Sequence, residues 1–178
     1  LKTEDANSEN TAIGYQSLAV NNGADGNTAL GYRAGYDVTT GGGNAFLGAE
    51  TGANVIGGAD NVMIGKGAGA ATTAGLNMVL VGRSAGGGGV ITADATGTVA
   101  IGHSALSSLT SGQKNIAIGY EALKVHTTGH RNIAIGFGAM NDTDDPQTIS
   151  STDNIFIGTD AGGGTWTGSS EINYNVGI

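Results

Sequence analysis

Few side chains in this 178-residue sequence are of types that carry out chemistry, and their spacing decides what each could do. Two glycine-rich stretches, Gly65-Lys66-Gly67-Ala68-Gly69 and Gly86-Gly87-Gly88-Gly89, invite a phosphate-cradling reading. A phosphate loop ends in Gly-Lys-Ser/Thr and opens a helix. Neither stretch has that ending, and both fall in register with a repeat, so both read as structural. Of the three histidines, His103, His126 and His130, the last two are four residues apart. On a helix that spacing pairs two metal ligands. Here Thr127-Thr128-Gly129 lies between them and reads as a turn, so solvated histidines are expected. The run Asn141-Asp142-Thr143-Asp144-Asp145 gathers oxygens of the kind calcium takes. It lacks the glycine and the distal glutamate of an EF-hand and reads as an exposed loop. No Ser-His-Asp set and no particular pair of carboxylates stands out. No catalytic, cofactor or metal residue is therefore assigned, no cofactor is expected, and the chain is expected not to be an enzyme.

Composition narrows the partners. The net charge is −8, and the seven basic residues are scattered rather than clustered. A nucleic-acid binder needs a basic face, so no nucleic-acid partner is expected. No apolar run approaches the roughly 20 residues of a membrane span, so no membrane insertion is expected. With no cysteine, disulfide scaffolds and thiolate metal sites are excluded. Gly accounts for 34 residues and Pro for one, Pro146. That is neither collagen, which needs a Gly-x-y period and abundant proline, nor a disordered linker, because aliphatic residues recur at fixed places between the glycines. The chain opens Leu1-Lys2-Thr3-Glu4-Asp5, with neither Met nor a signal pattern, and reads as a piece of a longer polypeptide.

Those fixed places are what must position everything else. A glycine that follows an aliphatic residue recurs at Gly14, Gly31, Gly48, Gly65, Gly82, Gly102, Gly119, Gly136, Gly158 and Gly177, with spacings of 17, 17, 17, 17, 20, 17, 17, 22 and 19. Immediately before it stand Ile13, Leu30, Leu47, Ile64, Val81, Ile101, Ile118, Ile135, Ile157 and Val176. Two before it stand Ala12, Ala29, Phe46, Met63, Leu80, Ala100, Ala117, Ala134, Phe156 and Asn175. Three before it, Thr11, Thr28 and Ala45 give way to Val62, Val79 and Val99 and then to Ile116, Ile133 and Ile155. Asn precedes this strand-like core in most units, and in the fifth Asn77 comes one residue early, which reads as a one-residue bulge. A small residue and then Leu, Met or Gly follow the repeat glycine at three and four residues, and the remainder is turn-like.

A period of this length marks a solenoid. Seventeen residues suit two short strands joined by tight turns better than a strand plus a helix. The fold expected is all-β: a parallel β-roll or β-solenoid of about ten coils stacked about 4.8 Å apart, a rod roughly 45–50 Å long. It forms one domain over 1–178, with a lead-in over 1–9, coils over 10–178, and insertions near 86–96 and 141–153. Alternation puts the columns one and three before the glycine on one face. Being aliphatic or β-branched, the column from Ile13 to Val176 is expected to line the coil interior. The small column, Ala12, Ala29, Phe46, Met63, Ala100, Ala117, Ala134 and Phe156, is then outward and is expected to be an interface between copies. So thin a core needs association, there being no disulfide or metal to reinforce it.

The unit N-x-A-I-G-x-x-A-L/G…T-T-G-x-x-N is shown best by Asn115-Ile116-Ala117-Ile118-Gly119-Tyr120-Glu121-Ala122-Leu123 and by Asn132 to Met140. It resembles the head repeats of trimeric autotransporter adhesins and β-roll segments of bacteriophage tail fibres, over roughly residues 10 to 178. Adhesin head repeats are typically shorter and lack the aromatic after the glycine, here Tyr15, Tyr32, Tyr120 and Phe137, so the tail fibre is the nearer likeness. The resemblance implies a parallel homotrimer of coils, left-handed in the adhesin heads, against the usual crossover rule. It implies a non-catalytic structural and adhesive segment of a virion tail fibre that attaches to a host surface. The alternative it leaves is the head of a trimeric adhesin on a bacterial cell surface. The partner expected is the chain itself, with a host-surface glycan or outer-membrane component as receptor. Exposed aromatics can stack on sugars, which makes Tyr15, Tyr32, Tyr120, Phe137 and the lone Trp166 the receptor-contact candidates. An ice-binding array needs regular Thr-x-Thr in every coil, and the Thr residues here are irregular; a depolymerising tailspike needs a catalytic set that is not visible.

Overall fold

The structure, a computed structural model, describes residues 9–141, 151–163 and 174–178. Its elements are β1 (Thr11–Ile13), β2 (Thr28–Leu30), β3 (Ala45–Leu47), β4 (Val62–Ile64), β5 (Val79–Val81), β6 (Val99–Ile101), β7 (Ile116–Ile118), β8 (Ile133–Ile135), β9 (Ile155–Ile157) and β10 (Val176–Gly177). They pair in parallel, in chain order, as one ten-stranded sheet. Register follows the repeat: Ile116, Ala117 and Ile118 lie beside Ile133, Ala134 and Ile135. No helix occurs among the described residues. The chain is thus an all-β parallel solenoid, as the spacing of the glycines requires.

Among the described residues each unit carries one short strand, not two. The rest of the coil is turns, whose N–H groups donate to carbonyls one coil further on, as from Leu18 to Ala34 (3.0 Å) and from Leu123 to Ala139 (2.9 Å). Backbone polar groups are therefore satisfied between neighbours without a second strand. The repeat glycines Gly14 to Gly158 have φ between 121° and 145°, a region essentially confined to glycine. A methyl group at Gly119 would run into the carbonyl oxygen of Gly136 in the next coil. Gly119→Ala is expected to cost about 3 kcal/mol or more. Gly67→Ala, with φ +67° and nothing nearer than 3.9 Å to the added carbon, is expected to cost about 1 kcal/mol. Chemical denaturation of the two variants checks this, and equal losses would contradict it.

Inside and outside are the reverse of the sequence expectation. The middle residue of the strand points inward: Ala29, Met63, Ala100, Ala117 and Ala134 have no exposed surface, Phe46 and Phe156 almost none, and Ala12 of the end coil is partly buried against them. These residues, expected at an interface between copies, form the core of the single chain. The column expected inside instead lies on the outer face, with Ile13 59%, Leu30 44%, Leu47 45%, Ile64 36%, Ile101 38%, Ile157 39% and Val176 70% exposed, and Val81, Ile118 and Ile135 half-buried beside them.

The cause is the narrowness of the coil. Opposite the strand, the fourth residue after the repeat glycine also points inward, so the two columns share one volume. Where the strand supplies Phe46, Met63, Leu80 or Phe156, the facing position is Gly52, Gly69, Gly86 or Gly162; where it supplies Ala100, Ala117 or Ala134, the facing position is Leu106, Leu123 or Met140. A carbon added at Gly69 would meet Met63 Cε at 3.0 Å, and one at Gly162 would meet the Phe156 ring at 2.7 Å. The second coil has Ala29 and Gly35, and its space is taken by Leu18 and Phe46 from either side, each 2.8 Å from a carbon added at Gly35. Two β-branched side chains per coil would not fit there. Leu18, Leu106, Leu123 and Met140 reach inward only by adopting φ between 46° and 51°, a conformation costly for such residues and held by the packing around them.

An asparagine ladder closes the interior beside the strands. From Asn27 the Oδ1 accepts both the backbone N–H and the side-chain amide of the next Asn, as at Asn27 to Asn44 and Asn44 to Asn61 (3.0 Å each for the amide), whereas Asn10 accepts only the Asn27 backbone N–H. The ladder resumes from Asn115 through Asn132 to Asn154 and Asn175. Between these runs stand Met78 and Thr98, both buried. Asn77 is not a bulge: with φ +54° it occupies the turn position before Met78, and β5 keeps its register. The insertion in this coil is absorbed in its turn, where Val90 is exposed and Ile91 takes the interior place.

Candidate interaction surface

The outer sheet face is two aliphatic columns wide. Nearest the N-terminus its first column is Thr11, Thr28 and Ala45, and toward the C-terminus it becomes Ile116, Ile133 and Ile155. With strands about 4.8 Å apart, the face is a continuous apolar strip roughly 45 Å long. Charged side chains are missing from all nine complete strands, β1 to β9. Soluble monomers rarely leave such a strip uncovered, and one usually marks an interaction site.

Alongside it, one residue past the repeat glycine, runs the column that contains the exposed Tyr15, Tyr32, Tyr120 and Phe137 and the half-buried His103. Coil stacking puts these rings in ladders. Tyr15 and Tyr32 are 5.9 Å apart and 7° from parallel. His103 to Tyr120 is 5.0 Å and 9°, and Tyr120 to Phe137 is 5.2 Å and 6°. Four of the five receptor-contact candidates thus lie in one column, and Trp166 lies outside the described residues. Stacking covers the inner ring faces, so a ligand meets mainly ring edges and the ends of each stack. A sugar that needs a free ring face finds few here.

The other residues singled out in the sequence are dispersed. Gly65 to Gly69 and Gly86 to Gly89 are turn and core positions in repeat register, and no helix starts at either. The expectation of solvated histidines fails at His126, which is completely buried. His130 lies in a turn, where its Nδ1 accepts the Gln113 N–H (3.1 Å). Of the acidic run only Asn141 is described; Asp142 to Asp145 lie outside the described residues. At the far end of that insertion Arg131 holds Asp153 through two bonds of 2.6 Å, from Nε and from the second guanidinium nitrogen. The hydrogen bond from Arg131 keeps the Asp153 carboxyl below the usual carboxylate range. Among the described residues no three His, Cys, Asp or Glu side chains converge as metal ligands, and no helix is long and apolar enough to cross a membrane.

Comparison with protein-family models, with curated proteins and with solved structures gave no match. Sequence reasoning found both columns of the apolar strip but assigned them to the interior. The signal it missed is the reciprocity of the other two columns: large faces Gly, and, outside the second coil, Ala faces Leu or Met.

Proposed function

We propose that this chain is a non-catalytic, structural and adhesive segment of a trimeric fibre of the bacteriophage tail type, which carries attachment to a host surface. The observation that supports it most is the apolar strip of strand residues that a single coil stack leaves uncovered. Burying such a strip against copies of itself is the economical solution for a repetitive rod, because in-register copies present identical spacing. Three copies, around an axis parallel to the strip, and left-handed coils are what the likeness to adhesin heads and tail-fibre β-rolls adds. In this reading the gradient from Thr11, Thr28 and Ala45 to Ile116, Ile133 and Ile155 gives the assembly a more tightly held C-terminal half. The rod then serves as a spacer, and its turns and aromatic column are what a glycan or outer-membrane receptor meets.

Molar mass in solution by light scattering tests this directly. A mass of about three chains, lost only as the fold melts, is expected. Ile118→Asp combined with Ile135→Asp is expected to give a folded monomer, with the β-type circular dichroism of the parent. A parent that is already monomeric at high concentration would refute the assembly.

A further inference from the structure

One interior column, seven residues after the repeat glycine, holds Asn21, Val38, Val55, Thr72, Leu109 and His126, all buried. Aliphatic residues suffice at this place. Asn21 satisfies its own amide, donating to the Ala24 carbonyl (3.0 Å) and accepting the Ala24 N–H (2.9 Å). His126 has no comparable arrangement: neither Nδ1 nor Nε2 has a hydrogen-bond partner within bonding geometry, so it leaves two ring nitrogens unpaired where Thr72 of the same column leaves one hydroxyl. Leaving buried polar atoms unpaired is costly, so a histidine here is not explained by stability.

The seat is also closed. Gly129 lies against the ring, and a carbon added there would meet Cδ2 at 2.6 Å and Nε2 at 2.9 Å. No charged side chain among the described residues reaches the ring. On the preceding coil Lys114 is exposed. On its own coil Glu121 and Lys124 pair with each other at 3.0 Å. On the next, Arg131 pairs with Asp153, and His130 is engaged by Gln113. The polar group nearest in effect is the Ser151 backbone, at the end of the longest insertion.

We infer that His126 is an acid-sensitive latch, which fills the interior as a neutral ring and forces the coils of β7 and β8 apart when it is protonated. An imidazolium has two N–H donors and no compensating anion among the described residues, so it can be solvated only if the coil opens. Burial pushes the His126 pKa from 6.5 down to about 4, and the Ser151 backbone opposes the shift. The folded value lies below the unfolded one. Stability is therefore complete above pH 6.5 and is lost as pH falls from 6.5 toward 4. Linkage over that window raises the unfolding equilibrium constant roughly twentyfold between pH 7 and pH 5. Most carboxylates remain ionised down to about pH 5, which leaves the histidines as the titrating groups.

The test is chemical denaturation of the whole chain at pH 7, 6 and 5, for the parent, His126→Leu, His103→Gln and His130→Gln. The parent and the latter two variants are expected to lose stability toward pH 5 by the stated factor. His126→Leu, which copies Leu109, is expected to change less than threefold. An equal acid loss in His126→Leu overturns the inference, as does a parent that is indifferent to pH. If the loss seen in the parent were instead dissociation of copies, His126→Leu would show it too, and the inference fails. Should His126→Leu not fold, histidine NMR of the parent decides: a His126 ring that stays neutral to pH 5 supports the latch, and one that titrates near 6.5 refutes it.

Discussion

Phe46→Ala is expected to destabilise the coil by about 3–5 kcal/mol, the range for emptying an aromatic-sized space in a packed core. Gly52→Leu alone is expected to destabilise as well. A side chain at Gly52 would run into the Phe46 ring, and overfilling typically costs about 1–3 kcal/mol. Combined in one chain, the two changes convert the third coil into the Ala117 and Leu123 arrangement that the seventh already uses. The double variant is therefore expected to be more stable than Phe46→Ala, with a coupling on the order of 2 kcal/mol in a double-mutant cycle. The backbone at Gly52 already has φ +55°, close to the +51° of Leu123, so the new leucine needs no rearrangement. Additive losses would mean that the two columns do not share a volume.

Ala117→Asp is the second large effect. The side chain lies in the interior, with Leu123 facing it and coils above and below, so a carboxylate there has no water and no cation. Either it is protonated well above the usual range or the coil opens. A loss of about 4 kcal/mol or more is expected, enough to remove most of a typical domain's stability. Circular dichroism and thermal melting would show it as loss of fold. One residue along, Ile118→Asp is expected to leave the coil intact, since that side chain is on the outer face. A folded Ala117→Asp beside an unfolded Ile118→Asp would restore the opposite assignment of inside and outside.

Those two neighbouring positions also show how far the sequence could be read. The glycine spacing dictated which residues are beside one another in successive coils, because a parallel stack with constant period has only one register; Ile118 beside Ile135 follows from 17-residue spacing alone. Strand position was legible for the same reason. Which face is inside was not, since alternation separates two faces without ranking them, and β-branched residues suit either a core or a covered surface. Interior width decides it, and that width depends on the turn opposite, at Gly52 or Leu123. His126 was misplaced for a related reason. Thr127-Thr128-Gly129 is a turn, but the residue before it belongs to the interior column of Val38, Val55 and Leu109, which becomes evident only when all units are aligned beyond the strand.

The asparagine ladder has a mechanical consequence. Its amides are all oriented one way along the rod, so each coil is gripped by the one before it through a side chain as well as through backbone bonds. That added grip stops at Asn61, which accepts the Met78 backbone N–H at 3.0 Å but meets no amide there, and it restarts only at Asn115. In a one-dimensional stack, where each unit is coupled only to its neighbours, weakened coupling at one place divides the array. The rod is then two cooperative blocks, β2 to β4 and β7 to β10, joined by a softer joint at β5 and β6. The turn that carries Val90 lies in that joint. A lateral load on the coil stack would concentrate its bending there and leave the blocks on either side straight.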